Sequence, residues 1–148
     1  METTQYSVKK KMALVTGASR GFGYQLAKQL SSKNFHVFAL SRTVGALEEL
    51  SDEIVGSGGS VTLVPIDLTI SKDIERLGVI LYQACDKLDL FVHAAAMPAS
   101  LSPVNTSDEK IFEKLIRINA TTVLSLIKCL DPLLKKSNNP LLVFIDDE

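Results

Sequence analysis

The residues with the clearest chemistry are Thr16-Gly17-Ala18-Ser19-Arg20-Gly21-Phe22-Gly23. This glycine turn follows the short apolar run Met12 to Thr16, which reads as a strand. It precedes Gly23 to Leu30, which reads as a helix with Phe22, Leu26 and Leu30 at period-four spacing. A helix start presents free N–H groups and the positive end of a dipole, a natural seat for phosphate. Glycines there serve the tight turn, the close approach of a pyrophosphate and the packing of helix on strand. Gly17, Ser19, Arg20, Gly21, Phe22 and Gly23 are therefore candidate contacts to a dinucleotide.

Other reactive groupings carry less. Asp146-Asp147-Glu148 invites a metal reading, but three successive side chains at a strand end point in alternating directions. They read as a frayed acidic terminus. Cys85 and Cys129 have neither metal-ligand nor CxxC spacing and read as small core residues of a reduced protein. No metal site is expected.

The elements that must position the turn alternate strand and helix. Phe35 to Leu40 is a second strand, and Leu47, Leu50 and Ile54 mark one face of the helix after it, which ends at Gly56-Ser57-Gly58-Gly59. Val61 to Ile66 is a third strand. Ser71 can cap the next helix, Asp73 and Glu75 suit its first turn, and Ile74, Leu77, Leu81 and Ala84 form its buried stripe. Leu88 to Val92 is a fourth strand, and Ala96 to Asn105 a loop. Thr106 and Glu109 have capping-box spacing. They open a long helix with Ile111, Leu115, Ile118, Thr122 and Leu126 on one side, closed by Pro132. Leu141 to Ile145 is a fifth strand. Strands apolar throughout, separated by amphipathic helices, imply a parallel sheet covered on both faces, the doubly wound α/β architecture.

The glycine spacing is TGxxxGxG rather than GxGxxG, and it resembles the signature of the short-chain dehydrogenase/reductase family, classical type. Further matches fall in order. Asp67-Leu68, at the end of strand three, resembles the family's adenine-binding pair, in which the carboxylate and a neighbouring backbone N–H read the base edge. Leu88-Asp89-Leu90-Phe91-Val92-His93-Ala94-Ala95-Ala96 resembles the strand that ends in Asn-Asn-Ala-Gly. Arg117-Ile118-Asn119-Ala120 resembles the stretch carrying the structural and catalytic asparagine. The resemblance covers essentially the whole chain, but only the first half to two-thirds of the family's fold. It implies a Rossmann-type sheet of about five strands in the order 3-2-1-4-5, cofactor contacts from Ala94 and Ala95, and hydride transfer between a nicotinamide and a carbonyl or alcohol.

An acid after strand two selects NAD, whereas a basic residue there accommodates the 2′-phosphate of NADP. Strand two ends in Leu40-Ser41-Arg42 with no acid, and Arg20 can reach the same side. A planar guanidinium suits bidentate phosphate contacts. The expected cofactor is NADP(H).

The same resemblance implies a catalytic tyrosine and, one helical turn later, a lysine that eases its proton transfer. Both would fall beyond Glu148, and Asp147 occupies the position of the family's serine, where a carboxylate would repel a developing oxyanion. Tyr6 with Lys10 and Tyr24 with Lys28 match YxxxK, but the first precedes strand one and the second lies on the helix under the pyrophosphate. Both read as chance. His93 and Ala94 stand for the paired asparagines, Ala96 for the glycine, and His93 reads as a strand-end hydrogen-bonding residue. Of the catalytic set only Asn119 remains, with a structural brace as its simpler role. The expectation is an NADP(H)-dependent oxidoreductase by descent, inactive or weakly active as this chain. The alternative is a non-catalytic NADP-binding module that pairs with a partner through an open sheet edge.

Bulk properties bound the partners. The 148 residues fit one domain, 1–148, and 46% are hydrophobic, enough for a sizeable core. A formal net charge of -1 gives no electrostatic case for nucleic acid or an acidic membrane. No apolar stretch approaches the roughly 18 residues of a membrane span, and no signal peptide is evident, so a cytoplasmic location is expected. The fifth strand, if left open, is a surface for self-association.

Overall fold

The computed structural model describes residues 9–98 and 102–145. Five parallel strands form one sheet in the order β3-β2-β1-β4-β5, as expected: β1 (Lys11–Thr16), β2 (Phe35–Ser41), β3 (Ser60–Pro65), β4 (Leu90–His93) and β5 (Leu141–Phe144). Helices α1 (Gly21–Ser32), α2 (Val44–Gly56) and α3 (Ser71–Ala84) follow the first three strands. Between β4 and β5 run α4 (Glu109–Ile116), a π turn (Arg117–Thr121) and α5 (Thr122–Leu134).

Side chains alternate across a strand, so each apolar strand feeds two cores. Leu14, Phe38, Leu40 and Phe91 pack with Leu77 and Leu81 of α3 and Leu126 and Leu130 of α5. Ala13, Val15, Val37, Ala39 and Val92 pack with Ala27 of α1 and Leu47, Leu50 and Ile54 of α2. The second face is built from smaller residues, which lets α1 approach β1 closely where the glycine turn joins them. This is the doubly wound, Rossmann-type sheet that the strand pattern implies.

Several local expectations are corrected. The buried line of α1 is Gly23, Ala27, Leu30 and Ser31, and Phe22 is exposed. Small residues face the sheet because the helix packs against the turn itself. Ser71 does not cap α3: Ile70 is the cap residue and no side chain caps it, while Ala84 is exposed. Thr106 and Glu109 form no capping box. The Thr106 hydroxyl donates to the Pro103 carbonyl, and Asp108 caps α4 by accepting from the Lys110 N–H at 2.8 Å. A shorter acceptor one residue from the helix wins over the box. The single long helix is divided by the π turn, and Pro132 lies inside α5, which runs to Leu134. So near the end, a proline removes one helical hydrogen bond without stopping the chain.

β4 starts at Leu90 rather than Leu88. Leu88 and Asp89 instead send their N–H groups to the carbonyls of Leu133 and Met12. Cys85 and Cys129 are free thiols, each half-buried. Among the described residues no helix is long and apolar enough to cross a membrane. β5 forms one edge of this sheet, with Leu141 and Phe144 exposed.

Candidate functional site

The strand order reverses between β1 and β4, and the carboxyl ends of the strands there are where doubly wound sheets form their ligand crevice. Thr16 ends β1 opposite His93 of β4 and Leu40 of β2. Immediately beyond, Gly17 turns at φ +69°, and a Cβ on it would stand 2.7 Å from the Ala94 carbonyl carbon and the Ala95 nitrogen. A Cβ on Gly23 would overlap the Gly17 carbonyl oxygen. The two glycines thus bring the exit of β4, the turn and the first turn of α1 into direct contact. The Ala18 N–H donates to the Leu40 carbonyl at 3.1 Å, tying the turn to the end of β2 as well. Gly21 opens α1 at φ +57°. Arg20, the residue before it, offers no side-chain cap, so the leading N–H groups of α1 are not claimed by one.

Thr16 organises the other wall. Its buried hydroxyl accepts from the N–H groups of Ala94 and Ala95, both at 3.2 Å, and lies 2.9 Å from His93 Nδ1. With two donors already accepted, its own proton goes to Nδ1, which fixes His93 as the Nε2–H tautomer. Nε2 is buried without a hydrogen-bond partner among the described residues. Burial holds the His93 pKa below its ordinary value, so the ring stays neutral. His93 is a strand-end hydrogen-bonding residue.

At the next strand ends, Ser41 Oγ accepts from the Thr43 N–H at 3.1 Å, and Arg42 stands exposed between them. The register pairs Ser41 with Pro65, which sets Asp67 on the same rim. Asp67 Oδ1 accepts from both the N–H and the hydroxyl of Thr69, at 2.8 and 2.7 Å. Partial burial pushes this carboxyl upward, but those two hydrogen bonds, with the charges of Arg42 and Lys114, outweigh it and hold it below its usual range. The Asp67 N–H goes to Asp73 Oδ2 at 2.8 Å. Among the described residues, Asp67 Oδ2 and the Leu68 N–H have no hydrogen-bond partner.

Gly17, Ser19, Arg20, Gly21, Phe22, Gly23, Arg42, Asp67, Leu68, Ala94 and Ala95 therefore all follow the carboxyl ends of β1 to β4. Asn119 stands on the π turn, where Oδ1 accepts from the Met97 N–H and Nδ2 donates to the Met97 carbonyl, both at 3.1 Å. Tyr24 and Lys28 do not approach the crevice chemistry. The Tyr24 hydroxyl donates to Glu53 at 2.8 Å, and Lys28 pairs with the same carboxylate. That hydrogen bond, with burial and the charges of Glu53 and Glu49, pushes the Tyr24 phenol up to about 12, the wrong direction for proton transfer near neutrality. Tyr6, Asp146, Asp147 and Glu148 lie outside the described residues.

Sequence reasoning missed Thr16, Thr69, Asp73, Arg117 and Thr122 as organisers of the site. Thr16 was visible as the hydroxyl preceding Gly17. The Arg117 and Thr122 bonds reach back 48 and 54 residues, and no local pattern signals them. A separate open cleft at the amino end of the sheet, lined by Lys10, Lys28, Ser32 and Glu53 among others, shares no residue with this site.

The family model for short chain dehydrogenases matches residues 11–146. Among curated proteins, the chain is 31% identical over 135 residues to a fatty acyl-CoA reductase of Acinetobacter baylyi, covering 90% of this chain and 45% of that protein. It is 31% identical over 134 residues to the rhamnolipids biosynthesis 3-oxoacyl-[acyl-carrier-protein] reductase of Pseudomonas aeruginosa, covering 89% and 51%. Among solved structures, a metagenomic short-chain oxidoreductase in complex with NADP superposes with a TM-score of 0.86 at 27% identity, over 90% of this chain and 61% of that one. A short chain dehydrogenase of Escherichia coli complexed with NADPH gives 0.82 at 27%, over 90% and 57%. The chain spans about half the length of the curated relatives it matches. With a matched span from the first strand to the end of the fifth, and with the strand order and glycine turn already in place, this chain belongs to the short-chain dehydrogenase/reductase family.

Proposed function

We propose that this chain holds NADP(H) for an oxidoreductase that moves hydride between the nicotinamide and a carbonyl or alcohol carbon. The observation that carries the reading is the glycine cradle at the start of α1, with Arg42 exposed beside it and no acid at the end of β2. The residues fit the group. Side-chain bulk is excluded at Gly17 and Gly23, where a pyrophosphate must approach backbone, and the leading N–H groups of α1 can meet its charge. Arg42 and Arg20 would hold the 2′-phosphate, whereas NAD recognition wants a carboxylate there. Ser19 and Phe22 would line the turn, and Ala94 and Ala95 the wall opposite. Asp67 Oδ2 and the Leu68 N–H would read the adenine edge. When bound, the nicotinamide supplies or accepts the hydride. Asn119 contributes by holding Met97, since both ends of its amide are engaged there. The NADP and NADPH complexes of the structural neighbours support the same cofactor.

Calorimetric titration with NADPH and separately with NADH tests this. Saturable binding that prefers NADPH is expected. A folded protein that binds neither overturns the reading.

A further inference from the structure

The π turn between α4 and α5 reaches out in two directions. Asn119 grips Met97 on the loop after β4. Arg117, the first residue of the turn, donates from Nη1 to the Thr69 carbonyl at 3.2 Å, and Thr122, the first residue of α5 just beyond it, donates from Oγ1 to the Leu68 carbonyl at 3.1 Å. The Thr122 side chain is buried, so its hydroxyl has no water to turn to.

The consequence follows from peptide planarity. A carbonyl pinned on one side of a peptide fixes the direction of the N–H on the other. Three successive carbonyls of the turn after β3 are pinned: Asp67 by the Ile70 N–H, Leu68 by Thr122 and Thr69 by Arg117. The Asp67 carboxylate is pinned from within the turn by Thr69. The Leu68 carbonyl shares its peptide with the Thr69 N–H, which bonds the Asp67 carboxylate, so Thr122 orients that carboxylate's donor. The Thr69 carbonyl shares its peptide with the Ile70 N–H, which holds the Asp67 carbonyl and with it the plane of the Leu68 N–H, so Arg117 steadies that donor from far along the chain. An acceptor and a donor that must meet two adjacent atoms of a base edge tolerate little misplacement.

We propose that Arg117 and Thr122 are positioning residues for base recognition, holding Asp67 and Leu68 in the geometry that separates adenine from other purines. The inference rests on the reading of this site as an NADP(H) site and adds to it where base selectivity is set. Adenine offers a donor amine and an acceptor ring nitrogen on the edge concerned. Hypoxanthine reverses both, so a rigid acceptor–donor pair should reject it.

The experiment compares dissociation constants for NADPH and its hypoxanthine analogue in the wild-type protein and in Thr122→Val, Thr122→Ser and Arg117→Leu, with unfolding midpoints measured alongside. The wild type should prefer adenine by roughly tenfold or more. Thr122→Val should shrink that preference at least threefold, Thr122→Ser should restore it, and Arg117→Leu should shrink it less. General destabilisation would weaken both ligands together and leave the ratio alone. A folded Thr122→Val with the wild-type ratio overturns the proposal. If Thr122→Val does not fold, exposed Arg117 carries the test, and an unchanged ratio in Arg117→Leu overturns it equally. Wild-type protein that binds both dinucleotides alike removes base reading by this turn but leaves the cofactor assignment standing. Binding of neither removes both.

Discussion

The Thr16 hydroxyl lies 2.9 Å from His93 Nδ1 while accepting the N–H groups of Ala94 and Ala95, so one buried side chain joins the ends of β1 and β4 at the crevice. Thr16→Val keeps the shape and removes every one of these bonds. Leaving buried polar groups unpaired costs about 1–3 kcal/mol each, less where water can enter. Denaturant unfolding of Thr16→Val should therefore show a loss of about 2–3 kcal/mol. A change below about 0.5 kcal/mol would mean the three groups find other hydrogen-bond partners and the seam is not held by Thr16.

The two histidines set an acid limit. Burial lowers His93, and burial followed by the charge of Lys10 lowers His36, which sits between Ser60 and Thr62. A histidine depressed in the folded state takes its proton more readily when unfolded. Stability is therefore full above the ordinary value of 6.5 and falls as pH drops from there through the folded values. Unfolding midpoints measured between pH 5 and 8 should decline below about 6.5. His93→Gln should flatten the decline, and an unchanged slope in that variant would place the titration elsewhere.

The glycine turn separates two kinds of constraint. At Gly17 an alanine meets both a left-handed backbone and the Ala94–Ala95 peptide, and at Gly23 it meets the Gly17 carbonyl with no flexible side chain to yield. Either Gly17→Ala or Gly23→Ala must push the turn away from β4. NADPH binding should fall at least tenfold in both, with helical content by circular dichroism retained. Full affinity in either variant would show that the close approach does not shape the cofactor site.

The legible parts of this molecule were those written in local pattern. Apolar runs such as Met12 to Thr16 and Leu141 to Ile145 announced strands, and the glycine turn announced a helix start and its close packing on the first strand. The π turn was not legible, because Ile111, Leu115, Ile118, Thr122 and Leu126 repeat at ordinary helical spacing. Only the tertiary structure shows that α4 leaves Ile111, Phe112 and Ile116 exposed while Ile118 and Thr122 turn inward. Asp73 reads as a first-turn acid, yet its carboxylate turns back to the Asp67 N–H, a choice made by the loop after β3 rather than by the helix. Capping followed the same rule, since Asp108 was simply nearer the helix than Thr106.

On the proposed reading Arg42 would set the choice between cofactors, and its charge is one of the influences that hold Asp67 below its ordinary value. Arg42→Asp puts a carboxylate where a ribose hydroxyl could be accepted and a 2′-phosphate repelled. NADPH affinity should drop at least tenfold, about 1.4 kcal/mol, while NADH binding holds or improves. Because the arginine is exposed, its contribution should also weaken as salt rises. The wild-type preference for NADPH should therefore narrow between 50 and 500 mM sodium chloride. Lys33→Asp makes the same charge change at the far end of β2 and controls for net charge. Equal losses in both variants would reduce Arg42 to a general field effect. Loss confined to Arg42→Asp would identify it as the residue that meets the 2′-phosphate.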